Sequence, residues 1–179
     1  MKSRKEFWKM QKFYKFRIYP DEEQKEYINH NFHCVCFVYN YFLELKTKMY
    51  NQSGVRLGIK ECNSKLTALK HTEPYKFLEE ADSTALQQTV FDLYDDFEVF
   101  FNKKTKNYYP KFKKKIDVNS FRIEKKETAD NIYFSGKYVK IPKIEKIQLG
   151  EDEEIPEDLE IHFATVSKTP NDEYYITIT

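Results

Sequence analysis

Glycine, cysteine and long apolar runs are scarce in this chain of 179 residues. Only four glycines are present, and none forms a phosphate-binding loop, which excludes the common nucleotide-binding fingerprints. No apolar run reaches the roughly 18 residues of a membrane span, and no apolar signal core follows the basic N-terminus. Three cysteines, an odd number, indicate reduced thiols rather than a disulfide framework. We therefore expect a cytoplasmic protein with no membrane partner.

Aromatic residues, by contrast, are abundant. They make up 17% of the chain, with 15 Phe and 14 Tyr. Intrinsically disordered chains are poor in aromatics and carry a large net charge, whereas the net charge here is +1. The sequence therefore predicts a folded protein, long enough for one sizeable domain or two small ones.

The small net charge conceals blocks of opposite sign. Residues 1–60 hold 12 Lys and Arg against 6 Asp and Glu, and residues 103–146 hold 14 against 5. The intervening and final blocks, 61–102 and 147–179, hold 3 against 9 and 1 against 9. Because salt screens attraction to phosphate beyond roughly 8–10 Å, a local basic surface can bind nucleic acid on a neutral molecule. Solvated lysine-rich loops would carry the same charges, so charge alone leaves both interpretations open.

The pattern of residues within the basic blocks favours nucleic acid. Residues 103–115 interleave seven lysines with three aromatic residues. In such a segment the lysines can bind phosphates while the rings stack on bases. One face of the first predicted strand, with Lys15 and Arg17, has the same basic character.

Alternating apolar and basic residues predict this first strand over residues 14–19. Asp21 and Gln24 then form a capping-box pattern at the start of a helix. Apolar residues at mostly helical spacing continue the helix to about Gln52. Since more than 25 residues is long for one globular helix, the pattern favours a break near residues 31–34.

Two further helices are predicted before the basic segment. One spans about residues 60–70, and the other begins at the N-cap residue Asp82. Apolar residues then repeat at spacings of four, three, four and three, which is a seam for a partner helix. The members of this seam are Leu86, Val90, Leu93, Phe97 and Phe100. Residues 21–104 therefore predict a bundle of three or four helices.

β-strand signals dominate the rest of the chain, and Ser135-Gly136 is a hairpin signal. The predicted strands are residues 120–124, 132–134, 137–141, 144–149, 159–166 and 174–179. If the first strand pairs with these later strands, the helices between them are an insertion into the β-structure. The expected fold is α+β, a small β-barrel with an inserted helical bundle, divided at residues 1–19, 20–107 and 108–179. Because the last residues are still strand-like, we expect the natural chain to continue, or a second polypeptide to supply the rest.

The sequence predicts no catalytic residue and no metal ligand. No serine lies in a Gly-x-Ser-x-Gly elbow. One residue separates Cys34 from Cys36, whereas zinc knuckles use two to four, and there is no second cysteine pair. His30 and His33 lie nearby at helical spacing, so a Cys/His cluster is conceivable. Partly buried helix residues are the simpler interpretation.

Seven stretches of the chain resemble, in order, one protein family. They are Tyr14-Lys15-Phe16-Arg17-Ile18-Tyr19-Pro20, Phe37-Val38-Tyr39-Asn40 with Phe42-Leu43, Leu66-Thr67-Ala68-Leu69-Lys70, Asp82-Ser83-Thr84-Ala85-Leu86-Gln87-Gln88, Tyr109-Pro110-Lys111-Phe112-Lys113, Val139-Lys140-Ile141-Pro142-Lys143-Ile144 and Ala164-Thr165-Val166-Ser167. The family is TnpB, the OrfB-type proteins of insertion sequences, which are RNA-guided DNA nucleases related to type V CRISPR effectors. The resemblance covers about residues 13–179.

The resemblance implies a wedge β-barrel, OB-like, split by a helical recognition domain in a prokaryotic, nucleoid-associated protein. It implies two partners, a guide RNA and double-stranded target DNA with a short transposon-adjacent motif. By position, the residues that would contact that motif are Gln87, Ser83 and Thr84. The residues implied in RNA binding are Lys15, Arg17, Tyr109, Lys111, Lys113, Lys114 and Lys115.

The chain also departs from the family pattern. Cys36 stands where the family often has an arginine. The RuvC-like nuclease domain and the Cys-x-x-Cys zinc ribbon of the family would follow residue 179. We therefore expect that this chain alone does not cut DNA, that Mg²⁺ and Zn²⁺ belong only to those parts, and that a separate chain carrying the RuvC-like domain is a further partner.

Two other functions fit the same residues. One is a stand-alone, nuclease-free regulator derived from the family, which binds RNA or DNA. The other is a protein-interaction module whose basic blocks pair with its own acidic blocks. Steep salt dependence of RNA binding separates the nucleic-acid functions from the last one.

Overall fold

A computed structural model of the protein describes residues 12–102 and 108–179. Residues 1–11 of the basic N-terminus, and the lysines at 103, 104 and 106, lie outside the described residues. The chain divides into two compact units. Among the described residues, the first unit contains 12–25 and 122–179, and the second contains 26–102 and 108–121.

The first unit is built around a seven-stranded sheet in the order β2-β6-β7-β1-β5-β4-β3. The strands are β1 Tyr14–Tyr19, β2 Ser120–Glu124, β3 Tyr133–Ser135, β4 Tyr138–Ile141, β5 Ile144–Leu149, β6 Phe163–Lys168 and β7 Tyr174–Ile178. Three of these, β1, β2 and β5, have the predicted bounds. The strand predicted over residues 159–166 is instead observed over Phe163–Lys168, because the acidic stretch before Phe163 does not join the sheet.

β1 lies in the middle of the sheet and pairs antiparallel with β7 and β5. Phe16 lies opposite Ile176 and Ile18 opposite Tyr174, and all four side chains are buried. The expected pairing of the first strand with the last ones is therefore confirmed. Its alternation arises because successive side chains of a strand point to opposite faces.

The α+β class is confirmed, but closure into a barrel is not observed. Among the described strands, β2 and β3 are the two edges of the sheet, which is open. The predicted hairpin joins β3 to β4, with Ser135 opposite Tyr138. Gly136 in this turn has a φ of 57°, a left-handed conformation that glycine adopts without the steric penalty of a Cβ atom.

Three α-helices are described: α1 Glu22–Ser53, α2 Ile59–Lys70 and α3 Ser83–Phe101. All but the first turn of α1 belongs to the second unit. Short 3₁₀ turns occupy Lys76–Glu79 and Lys115–Asp117. The Asp21–Gln24 capping box is present, since the Gln24 N–H donates to Asp21 Oδ1 at 2.9 Å and the Asp21 N–H to Gln24 Oε1 at 3.1 Å.

The predicted break in α1 near residues 31–34 is wrong. The helix is continuous over 32 residues. Phe32 and Cys34 in this stretch are buried, so packing favours helix throughout it. The Asn31 amide donates to the Tyr27 carbonyl at 2.9 Å, one turn earlier, which satisfies this polar side chain inside the helix.

The apolar seam of α3 forms part of the core of the second unit. Leu86, Val90, Leu93 and Phe97 are buried, while Phe100 is half-buried. Asp82 caps the helix, because its Oδ1 accepts a hydrogen bond from the Ala85 N–H at 2.8 Å. The capping side chain satisfies an amide that has no partner within the helix.

Candidate nucleic-acid interface

The described part of the lysine-rich stretch, residues 108–115, is called the basic segment below. Its backbone is bound by one side chain of α1. The Asn40 amide donates from Nδ2 to the Lys113 carbonyl and accepts at Oδ1 from the Lys113 N–H, both at 2.8 Å. The Cys36 thiol, one helical turn earlier, donates to the same carbonyl at 3.5 Å. Asn40 therefore bonds both backbone groups of Lys113, as a residue of a neighbouring β-strand would.

Tyr109 attaches the other end of the basic segment to two helices. Its hydroxyl lies 2.5 Å from the Thr47 hydroxyl on α1. Its ring meets Phe97 and Phe100 of α3 edge to face, with centroids 5.5 and 5.2 Å apart. Pro110, which follows, is buried. The segment is thus anchored to the second unit at both ends.

The lysines between and beyond these anchors face solvent. Lys111, Lys114 and Lys115 are exposed. The Lys113 ammonium lies 3.9 Å from the centroid of the Tyr39 ring, a cation–π contact. Burial, with the hydrogen bond of its hydroxyl to Asp96 at 2.7 Å, raises the pKa of Tyr39, so this phenol stays protonated. The second unit therefore presents a row of cations on a backbone of defined conformation.

Lys15 and Arg17 are placed differently, in the first unit. The Arg17 guanidinium bonds Glu173 at 2.6 Å and the Tyr175 hydroxyl at 3.0 Å. The Lys15 ammonium lies 4.0 Å from the centroid of the same tyrosine ring. The contact with Glu173 raises the pKa of Arg17, and the Arg17 guanidinium lowers the pKa of Glu173. The charge of Arg17 is therefore balanced within the unit.

The N-terminal part of α3 presents only some of its polar side chains. Gln87 is exposed and Ser83 is half-buried. Thr84 is buried, and its hydroxyl donates to Asp82 Oδ1 at 2.5 Å. A ligand can thus reach Gln87 and Ser83 directly, whereas Thr84 contributes to the cap of the helix.

Sequence reasoning missed two asparagines that position these residues. Neither Asn40 nor Asn31 is among the site residues that the sequence predicts. Asn31 is fully buried, and its Oδ1 accepts from the Asp82 N–H at 2.9 Å, just before α3 begins. The available signal was a polar residue on the buried face of a helix, since such a residue needs a partner.

Cys34, Cys36 and His30 of α1 make hydrogen bonds within the second unit. Cys34 Sγ lies 3.3 Å from His30 Nε2, which also lies 3.0 Å from the Phe77 carbonyl. Within residues 12–102 and 108–179, no group of three or more His, Cys, Asp or Glu could hold a metal ion. None of the described helices is long and apolar enough to cross a membrane.

Comparison with known proteins supports the family resemblance. A family model described as a helix-turn-helix domain, of the OrfB type, matches residues 10–54. In the described part of this match, the structure has β1 followed by the single helix α1.

Two curated relatives match about half of the chain. A proposed RNA-guided DNA endonuclease from Streptomyces pristinaespiralis is 37% identical over 100 residues, which is 56% of this chain but 24% of that protein. Virulence protein VsdF from Salmonella dublin is 38% identical over 105 residues, which is 55% of this chain and 88% of that protein. The chain belongs to the TnpB family of OrfB-type insertion-sequence proteins.

Proposed function

We propose that this chain is the recognition part of a TnpB-like RNA-guided nuclease, and that it binds a guide RNA scaffold through the basic segment. The observation that carries the proposal is the attachment of that segment to α1 and α3, with Lys111, Lys114 and Lys115 exposed. The name of the Streptomyces relative, an RNA-guided DNA endonuclease, agrees with it.

The anchoring matters because binding to RNA orders the protein as well as the RNA. A flexible lysine-rich loop would lose backbone freedom of roughly 1–2 kcal/mol per residue on binding. In the basic segment, Asn40 and Tyr109 limit that loss before the RNA arrives. The phosphates then gain charge contacts from lysines that already lie on one anchored stretch of chain.

The proposal predicts a strong effect of three lysines on RNA affinity. Replacing Lys111, Lys114 and Lys115 by Ala should weaken binding of structured RNA by about tenfold or more at moderate salt. The plot of log affinity against log salt should become shallower. Its slope should fall in magnitude by about 2, at ~0.7 for each lost contact to a single strand. A filter-binding or fluorescence-anisotropy titration at several salt concentrations measures both quantities.

A matched control removes the same charge elsewhere in the second unit. Lys48, Lys60 and Lys65 are exposed, and none of them lies in the basic segment. Their triple alanine variant should bind RNA with nearly the wild-type slope. Equal losses in the two triple variants would show that net charge, rather than the basic segment, determines binding. Affinity without salt dependence in the wild type would favour the protein-interaction module.

The involvement of Arg17 can be tested through its acidic partner. If Arg17 contacts RNA, Glu173 competes with phosphate for the guanidinium, and Glu173→Gln should raise RNA affinity a few-fold. The exposed Glu157 offers the same charge change for comparison, and Glu157→Gln should have a smaller effect. Identical affinities for wild type, Glu173→Gln and Arg17→Ala in anisotropy titrations would remove Arg17 from the RNA surface.

We further propose that the start of α3 reads the transposon-adjacent DNA motif. A glutamine amide can bond adenine bidentately in the major groove, so Gln87→Ala should weaken motif recognition by ~1–3 kcal/mol. Selection from a randomised duplex library, by the chain loaded with guide RNA, measures the preference. Gln52→Ala, at an exposed position near the end of α1, is the matched control. An unchanged preference in Gln87→Ala would refute this role.

The open sheet of the first unit is proposed to form the wedge domain of the family. We propose that DNA cleavage by the whole protein uses a RuvC-like part, with its Mg²⁺ and Zn²⁺ sites, in the same protein or in a separate chain. The site of action is the prokaryotic cytoplasm, at the nucleoid. A nuclease-free regulator is the alternative, and it would bind RNA and DNA specifically without any such partner.

A further inference from the structure

A cavity of about 600 Å³ lies within the second unit, next to the basic segment. Its walls come from the C-terminal half of α1, the turn before α2, the second half of α3 and Tyr109. The volume falls within the ~300–1,000 Å³ typical of pockets for small ligands. Tyr109 also anchors the basic segment, so the cavity and the lysines share one residue.

Aromatic rings at the cavity are partly open to solvent. Tyr50, Phe101 and Tyr109 are 46%, 38% and 40% exposed. Tyr50 and Phe101 lie 6.4 Å apart between centroids, with their planes inclined at 58°. Large rings that stay exposed beside a cavity are typical of surfaces on which nucleic-acid bases stack.

Two cations complete the lining. The Arg56 guanidinium lies 4.3 Å from the centroid of Phe101 and 5.7 Å from that of Tyr50. Among the described residues it forms no ion pair, so its five N–H groups can meet a phosphate. The Lys46 ammonium donates to the Leu57 carbonyl at 2.6 Å and lies between 5 and 6 Å from the ring centroids of Tyr94 and Phe97.

We propose that this cavity binds one unpaired nucleotide, with its base against Phe101 and Tyr50 and its phosphate at Arg56. Glu98, also in the lining, can accept a hydrogen bond from an exocyclic amino group of the base. Continuity with the basic segment favours a nucleotide of the bound RNA. In that respect the inference rests on the proposed function, although a free nucleotide carries the same chemistry.

The experiment uses the full chain and adenosine 5′-monophosphate as the probe. In a two-dimensional NMR titration, the shifts should concentrate at amides of the cavity, including Tyr50 and Gly58. Arg56→Ala should weaken binding about fivefold or more, and Phe101→Ala about tenfold, as expected for loss of a stacking ring. Adenosine, which lacks the phosphate, should bind wild type and Arg56→Ala equally weakly.

Lys48→Ala is the matched control, since this exposed lysine of α1 is not in the cavity lining. It should bind the monophosphate like wild type. Shifts located elsewhere, or wild-type affinity for the monophosphate in both Arg56→Ala and Phe101→Ala, would overturn the inference. The 2′-deoxy monophosphate separates RNA from DNA chemistry, because a site that reads the 2′-hydroxyl binds it more weakly.

The two proposals can fail separately. RNA binding that depends on Lys111, Lys114 and Lys115, without titration of the cavity by the monophosphate, would overturn the cavity inference and leave the proposed function intact. A cavity that binds the monophosphate in a chain that does not bind structured RNA would overturn the proposed function. The cavity would then be a site for a free nucleotide.

Discussion

Asn31→Ala is expected to lower the free energy of unfolding by about 2–3 kcal/mol. The Asn31 side chain is fully buried and bonds two backbone groups, the Tyr27 carbonyl and the Asp82 N–H. Alanine leaves that N–H without its partner at a buried position, and an unsatisfied buried donor costs about 1–3 kcal/mol by itself. The loss of the second bond adds to this cost.

Denaturant unfolding followed by circular dichroism measures the change. Gln52→Ala is the control, because Gln52 is an exposed polar residue of the same helix and should change stability by no more than about 0.5 kcal/mol. Since Asn31 positions the residue that caps α3, motif-DNA preference should fall more than RNA affinity does. A variant as stable as the control would show that solvent replaces both hydrogen bonds.

Phe42→Ala should destabilise the protein by about 3–5 kcal/mol, the largest effect expected for a single substitution here. Phe42 lies on α1 with no exposed surface and is one of the largest fully buried side chains described. Truncation removes apolar contacts and leaves a cavity that the surrounding helices fill only in part. In a chain of this size, a loss of 1 kcal/mol lowers Tm by roughly 2–4 °C.

Phe112→Ala provides the comparison in the same unit, because the side chain of Phe112 is 62% exposed. It should shift Tm by no more than a degree or two, as expected for a surface position. Thermal unfolding of Phe42→Ala and Phe112→Ala under the same conditions measures the two shifts in Tm. Similar shifts in both would mean that burial in the second unit does not determine its stability.

Local pattern was sufficient for most of the secondary structure. The capping box at Asp21, the cap at Asp82 and the hairpin at Gly136 were all predicted correctly, because the interacting groups lie within four residues of each other. The break expected in α1 was wrong, because length statistics describe average helices. The buried contacts that keep this helix continuous come from residues distant in sequence.

The same division between local pattern and contacts of distant residues applies to the predicted binding residues. Composition identified the basic segment, but its anchoring joins Asn40 to Lys113, 73 positions away. Composition also assigned Arg17 to a basic face, whereas the pairing of β1 with β7 places Glu173 and Tyr175 beside it. No local pattern contains either contact.

By itself, the sequence determined the family, the α+β class, the order of the elements and the location of the basic segment. Each of these depends on residue type and on spacing over a few positions, so it can be read along the chain. Only the tertiary structure decided which cations are exposed and which are balanced, that the described sheet stays open, and that aromatic rings and Arg56 surround a cavity. Those properties depend on distances between residues that are far apart in sequence, and only packing brings such residues together.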